Sequence, residues 1–140
     1  AGVARVHASD ASAAARGLHV ALVAALIRQE SSFAPRAVSR VGAMGLMQLM
    51  PDVNVRLGTA HLRDLLRGYR EEAHALAAYD AGAGRVARWR TKPGTDDAER
   101  FVERIPYVET RDYVRIAQRD RALYAALYPA DAAAASAAAD

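Results

Sequence analysis

Leu22, Val23, Leu26 and Ile27 recur at the spacing of one helix face, and Glu30 follows three positions after Ile27 and four after Leu26. The pattern predicts an apolar helix from about His19 that ends in one carboxylate, whose side chain leaves from the inward face. An acid placed there loses hydration and sits at the helix end where the macrodipole disfavours negative charge. Both effects raise its pKa toward the range a general acid uses near neutral pH. The bland alternative is a last-turn glutamate that points into water.

Around this stretch the polarity pattern predicts helices almost throughout. Ala1 to Ala8 reads as a weakly patterned lead-in, and Ser9 or Asp10 can cap a short helix that Gly17 ends. Pro35 stops the Glu30 helix, Arg36 to Gly45 reads as a loop, and Leu46 to Met50 is a short apolar run that periodicity assigns to neither helix nor strand. Asp52 then caps a helix whose apolar face is Val53, Leu57, Leu62, Leu65, Leu66 and Tyr69. Glu71 and Glu72 open another helix, broken by Gly82 and Gly84, and Val86 and Trp89 anchor a shorter one. Lys92-Pro93-Gly94 is a turn, and Asp96 is the expected cap of a helix through Val102 and Ile105. Beyond Pro106 a long helix from about Val108 to Leu127 turns Tyr113, Val114, Ala117, Tyr124 and Leu127 inward, and Pro129 ends it. The fold class is all-α, with at most a tiny sheet.

Composition narrows the picture in three ways. The 140 residues fit one domain, long enough to bury a core but too short for two, and no apolar run reaches membrane-spanning length. The absence of Cys removes disulfide frameworks and thiolate metal sites. No charged-then-apolar leader opens the chain, so any export signal is absent from this form. A net charge of +3, carried by Arg with Lys92 the lone lysine, suits an anionic polymer, either nucleic acid or a carboxylate-bearing cell wall. The arginines are dispersed and no stacking aromatics accompany them, which argues against a nucleic-acid binder and is equally met by an Arg-rich genome.

Several motifs fail on context. Gly82-Ala83-Gly84-Arg85-Val86-Ala87 matches the dinucleotide fingerprint in letters, but a helical pattern precedes it where a strand is required. Asp52-Val53-Asn54 opens like a calcium loop, yet Leu57 stands in place of its Gly and Arg63 in place of its bidentate Glu. His7, His19, His61 and His74 have no metal-ligand spacing. No metal and no cofactor is expected.

Four segments in order are far more specific. Glu30-Ser31-Ser32-Phe33 is followed by Ser39 and then Gly45-Leu46-Met47-Gln48-Leu49-Met50-Pro51; Ala78-Tyr79-Asp80-Ala81-Gly82 and Ile105-Pro106-Tyr107-Val108-Glu109-Thr110-Arg111 come later. This set resembles the catalytic domain of the soluble lytic murein transglycosylases, the lysozyme-like (SLT) enzymes that cleave peptidoglycan. The resemblance covers roughly Gly17 to Tyr128. It gives three expected regions: a lead-in over 1–17, the catalytic domain over 18–128 and an Ala-rich tail or linker over 129–140.

What the resemblance implies is a helical domain with a substrate groove and Glu30 as the only general acid/base. Gln48 would hydrogen-bond sugar, Met50 would form an apolar wall, and Ser39 would contact substrate or intermediate. Tyr79 would hold the catalytic carboxylate through its hydroxyl, and Glu109 would belong to the sugar cleft. Bland alternatives are core filler for Met50, a core aromatic for Tyr79 and a charge at a helix N-terminus for Glu109. The implied partner is a peptidoglycan glycan strand, with no nucleic acid and no transmembrane segment. The implied location is the periplasm or cell envelope, and a monomer is expected.

Two departures from the family pattern stand out. Asp80 occupies the place of the family's Asn. An ionised carboxylate cannot donate a hydrogen bond as an amide does, and near Glu30 it would raise a pKa by like-charge repulsion. It would then serve a water and favour hydrolysis, the reaction of a muramidase; a non-catalytic glycan-binding module is the further alternative. The second departure is that Pro51 and Asp52 abut where family members carry an additional stretch, so either the groove wall is short or a loop segment is missing here.

Overall fold

The computed structural model describes residues 20–31 and 55–128. Their regular structure is entirely helical: α1 (Val20–Ser31), α2 (Val55–Gly68), α3 (Glu72–Ala81), α4 (Ala83–Trp89), α5 (Ala98–Glu103) and α6 (Val108–Leu127). The expected short helix before Gly17, the loop to Gly45, the run to Met50, the Asp52 cap with Val53, and Pro129 lie outside the described residues. Two compact units divide the chain: Ala1–Ala60 with Gln118–Asp140, and His61–Ala117.

In the first unit α1 departs from the one-faced helix that periodicity predicts. Every residue from Ala21 to Ile27 is buried, so the helix is covered on all sides. Ala21, Ala24 and Ala25 make this feasible, because their small side chains let neighbouring segments approach the backbone closely. The polar end begins at Arg28, whose Nε lies 3.6 Å from Asp120 Oδ2 in the second half of α6. Arg119 Nη2 lies 2.9 Å from Asp120 Oδ1. Asp120 is only 1% exposed, so two guanidinium groups replace the water that its carboxylate gave up. The Tyr124 hydroxyl, by hydrogen bonding, and then the Asp120 charge hold Arg28 above its ordinary pKa.

In the second unit α3 is the central element, with Ala73–Ala78 all buried, and it packs against α4 and α5. Its companions in the core are Val86, Trp89, Phe101, Val102, Ile105 and Val114. Each large apolar side chain so covered contributes on the order of 1.5–3 kcal/mol before the entropy of ordering is counted. His74 is buried among them. A carbonyl can only accept, so His74 Nε2 donates to the Thr95 carbonyl at 3.0 Å, and the ring stands edge-on to Phe101 at 4.2 Å between centroids. Thr95 itself locks the 90–97 turn, its hydroxyl reaching the carbonyls of Arg90 and Lys92 at 2.8 and 2.7 Å.

Four expectations are corrected. Leu57 is 51% exposed, whereas Gly58, Thr59 and Leu62 are the buried positions among the described side chains of α2. Leu57 and Leu62 are five residues apart, well off a common face, whereas 59 and 62 share one. Gly84 does not break a helix but lies within α4, and Gly82 alone separates α3 from α4 at φ +91°. Asp97, not Asp96, caps α5, accepting from the Arg100 amide at 2.8 Å. Leu127 is 60% exposed at the end of α6, and Asp120 takes the buried place one helical turn before the half-buried Tyr124.

Candidate active site

Glu30 occupies the last turn of α1 and is half-buried, following seven buried residues. The Ser31 hydroxyl bonds back to the Ile27 carbonyl at 2.9 Å, the i−4 back-bond that a helical serine can make. The apolar run thus delivers one carboxylate to the last turn of α1. Ser39, Gln48 and Met50 lie outside the described residues.

The other assigned residues all belong to the second unit. Tyr79 and Asp80 sit on the last turn of α3, and Glu109 sits in the first turn of α6. The two turns are joined by the Thr110 hydroxyl, which donates to Asp80 Oδ2 at 2.6 Å. The short distance is that of a charge-assisted bond. Thr110 is itself 2% exposed, so this donor is fixed by packing. The half-buried Tyr79 ring lies 5.7 Å from the His61 ring, tilted by 36°.

The electrostatics follow from this layout. Asp80 is pushed above the ordinary carboxyl value of 3.8, first by loss of hydration and further by the Glu109 charge, while the Thr110 bond acts the other way. Its position at the C-terminus of α3 is also unfavourable for an anion, whereas Glu109 at an N-terminus is favoured. The like-charge neighbour of Asp80 in this unit is therefore Glu109. Around them, Trp89 and Tyr107 meet edge to face at 5.3 Å, and Arg85 Cζ lies 5.6 Å from the Tyr107 ring centroid. Motif reading missed Thr110, although it quoted the segment that contains it. The available signal was a hydroxyl beside Glu109, but its partner lies 30 residues away on another helix.

The arrangement offers a half-buried acid on one unit, and on the other a carboxylate pair, a phenol and an imidazole suited to hydroxyl-rich ligands. Comparison with known proteins adds to this. The family model described as Transglycosylase SLT domain matches residues 7–53 and 50–102. The soluble lytic murein transglycosylase of Salmonella typhimurium is 37% identical over 117 residues, covering 65% of this chain and 18% of that protein. An inactive Glu-to-Gln variant of lytic transglycosylase Slt from Pseudomonas aeruginosa superposes with a TM-score of 0.80 at 34% identity, over 89% of this chain and 24% of the other. The 70 kDa soluble lytic transglycosylase of Escherichia coli gives 0.69 at 32%, over 77% and 22%. These likenesses give the lysozyme-like helical fold. The chain spans under a fifth of the Salmonella protein's length, at 18%. The family match divides at the Pro51–Asp52 junction. The 117 aligned residues also exceed the 65% of this chain that takes part, so the relative carries residues without a counterpart here.

Proposed function

Because the chain belongs to the transglycosylase SLT domain family, we propose that it cleaves the β-1,4 bond between N-acetylmuramic acid and N-acetylglucosamine in peptidoglycan, leaving 1,6-anhydromuramoyl ends. The family match carries this reading: its first stretch takes in Glu30 and its second takes in Tyr79 and Asp80. It is supported by the relative whose Glu-to-Gln variant is described as inactive. The site of action is then the bacterial cell envelope.

One carboxylate is enough for this chemistry. Glycosidases ordinarily use two, one to protonate the leaving oxygen and one to attack or to activate water. A 2-acetamido sugar brings its own nucleophile. Protonated Glu30 gives its proton to the glycosidic oxygen as the C1–O bond breaks, and the acetamide oxygen closes on C1 to form an oxazolinium. The Glu30 carboxylate then takes the proton of the C6 hydroxyl, whose oxygen attacks C1 and expels the acetamide oxygen. Glu30 ends protonated, no water is consumed, and the strand has become two. General acid–base help contributes on the order of 10²–10⁴-fold. Orientation of the sugars supplies more, and that role falls to Tyr79, Asp80 and Glu109 together with Ser39, Gln48 and Met50.

Mass spectrometry of muropeptides released from purified peptidoglycan tests the proposal, with Glu30→Gln alongside. Anhydro ends from the parent and none from the variant are expected. Reducing ends would mean hydrolysis and direct attention to Asp80, and binding without cleavage would make this a glycan-binding module.

A further inference from the structure

Among the side chains around the residues assigned to sugar, Thr110 has a fixed place and no assigned task. A helical threonine ordinarily returns its hydroxyl hydrogen to a carbonyl one turn back. Thr110, third in α6, does not: its hydroxyl gives its single hydrogen to Asp80 Oδ2 at 2.6 Å, 30 residues earlier at the end of α3. A local acceptor one turn back, the Tyr107 carbonyl, receives the Arg111 amide at 3.0 Å. At 2% exposure Thr110 is also shut off from water, so among the described residues Asp80 is its partner.

Asp80 is in the opposite situation. The residue is open to solvent, the C-terminal end of α3 disfavours an anion, and the Glu109 charge repels it. Each of these influences favours a carboxylate that turns out into water. The Thr110 bond opposes them, and it is a stiff anchor: it is charge-assisted, and packing keeps the buried donor from following its acceptor outward. With Oδ2 engaged, Oδ1 is the oxygen left for a ligand. An ionised carboxylate only accepts, so its counterpart on a sugar is a hydroxyl or an amide N–H. We infer that Thr110 is a positioning residue for glycan binding, holding the Asp80 carboxylate where Oδ1 meets the sugar, an inference that rests on the proposed murein substrate.

Calorimetric titration of the full chain carrying Glu30→Gln, which prevents turnover, tests this with a peptidoglycan tetrasaccharide stripped of peptide. Thr110→Val and Thr110→Ala, each added to that chain, remove the hydroxyl, and the first keeps the branched shape. Each is expected to weaken glycan binding about three- to tenfold, the scale of one hydrogen bond. Thr110→Ser keeps the hydroxyl and should bind nearly as the parent does. The readout that a packing role would not move is the cycle with Asp80→Ala: once the carboxylate is gone, Thr110→Val should weaken binding no further. Circular dichroism checks that each variant folds. Parent-like affinity in both hydroxyl-free variants, an equal loss with Asp80 present and absent, or failure of both variants to fold overturns the inference alone. Absence of glycan binding by the parent overturns it together with the murein reading.

Discussion

The Asp80 carboxyl loses hydration where α3 ends, and in return receives one hydrogen bond from Thr110 and the repulsion of Glu109. A carboxyl raised above its unfolded value holds its proton more tightly in the folded chain, so its contribution to stability is present below about 3.8 and is lost as pH rises through the folded value. Asp80→Asn keeps an acceptor for Thr110 and removes the charge. The expected outcome is a melting temperature above the parent's at pH 7, with the gap closing as pH falls toward 3.8, read by calorimetry. Conversely, Thr110→Val deletes the one bond that lowers the Asp80 value, and carboxyl carbon NMR should show it titrating higher still. His74 runs in the opposite direction. Burial, its largest influence, holds it below 6.5, so the stability it contributes is present above 6.5 and is lost as pH falls through the folded value. His74→Gln should flatten the pH dependence of unfolding below 6.5 while costing about 1–3 kcal/mol, measured by urea unfolding.

At the scale of elements, two small features fix where helices start and stop in the second unit. Gly82 sits at φ +91° and ψ 143°, a region that side-chain-bearing residues avoid, and a Cβ there meets nothing within 4 Å. Gly82→Ala is therefore a test of backbone strain alone, with an expected loss of about 1–3 kcal/mol in equilibrium unfolding. The Asp97 cap is worth about 1 kcal/mol by the same measure in Asp97→Ala. Such features also show what was legible in the sequence. Long runs with clear spacing, α1 and α6 above all, lie where apolar periodicity and Pro106 place them. Asp96 and Asp97 are equally good caps as letters, and only the turn closed by Thr95 decides between them. Leu57 looked like a core residue because hydropathy ranks leucine over threonine, whereas the face of α2 is set by rotation about its axis. Glu30, Tyr79, Asp80 and Glu109 could be named as candidates in the sequence because motifs keep their order. The Thr110–Asp80 bond was not, since it depends on two helix ends meeting in space.

For the whole molecule, the informative fact is that the first unit is assembled from both ends of the described chain, with 61–117 inserted between them. Residues 28 and 120 must meet for that unit to close, and the closing contact is between a nearly inaccessible carboxylate and two largely exposed guanidinium groups. Apolar burial around α1 supplies the bulk of the attraction, but it is non-directional and fixes neither rotation nor register. The Asp120 carboxylate does, because a buried charge tolerates few positions for its partners. Asp120→Ala should thus loosen the joint without unfolding the chain. In native-state hydrogen exchange, amides of Val20–Ser31 and of 118–127 should exchange about tenfold faster, a change of about 1.4 kcal/mol in opening free energy. Amides of α3 to α5, whose core is formed by side chains of the second unit, should be unchanged. Because Arg28 and Arg119 are exposed, raising the salt concentration should reproduce part of the effect in the parent and little in the variant. Uniform acceleration across both units would show instead that Asp120 supports the chain as a single cooperative body, and that the joint has no separate opening.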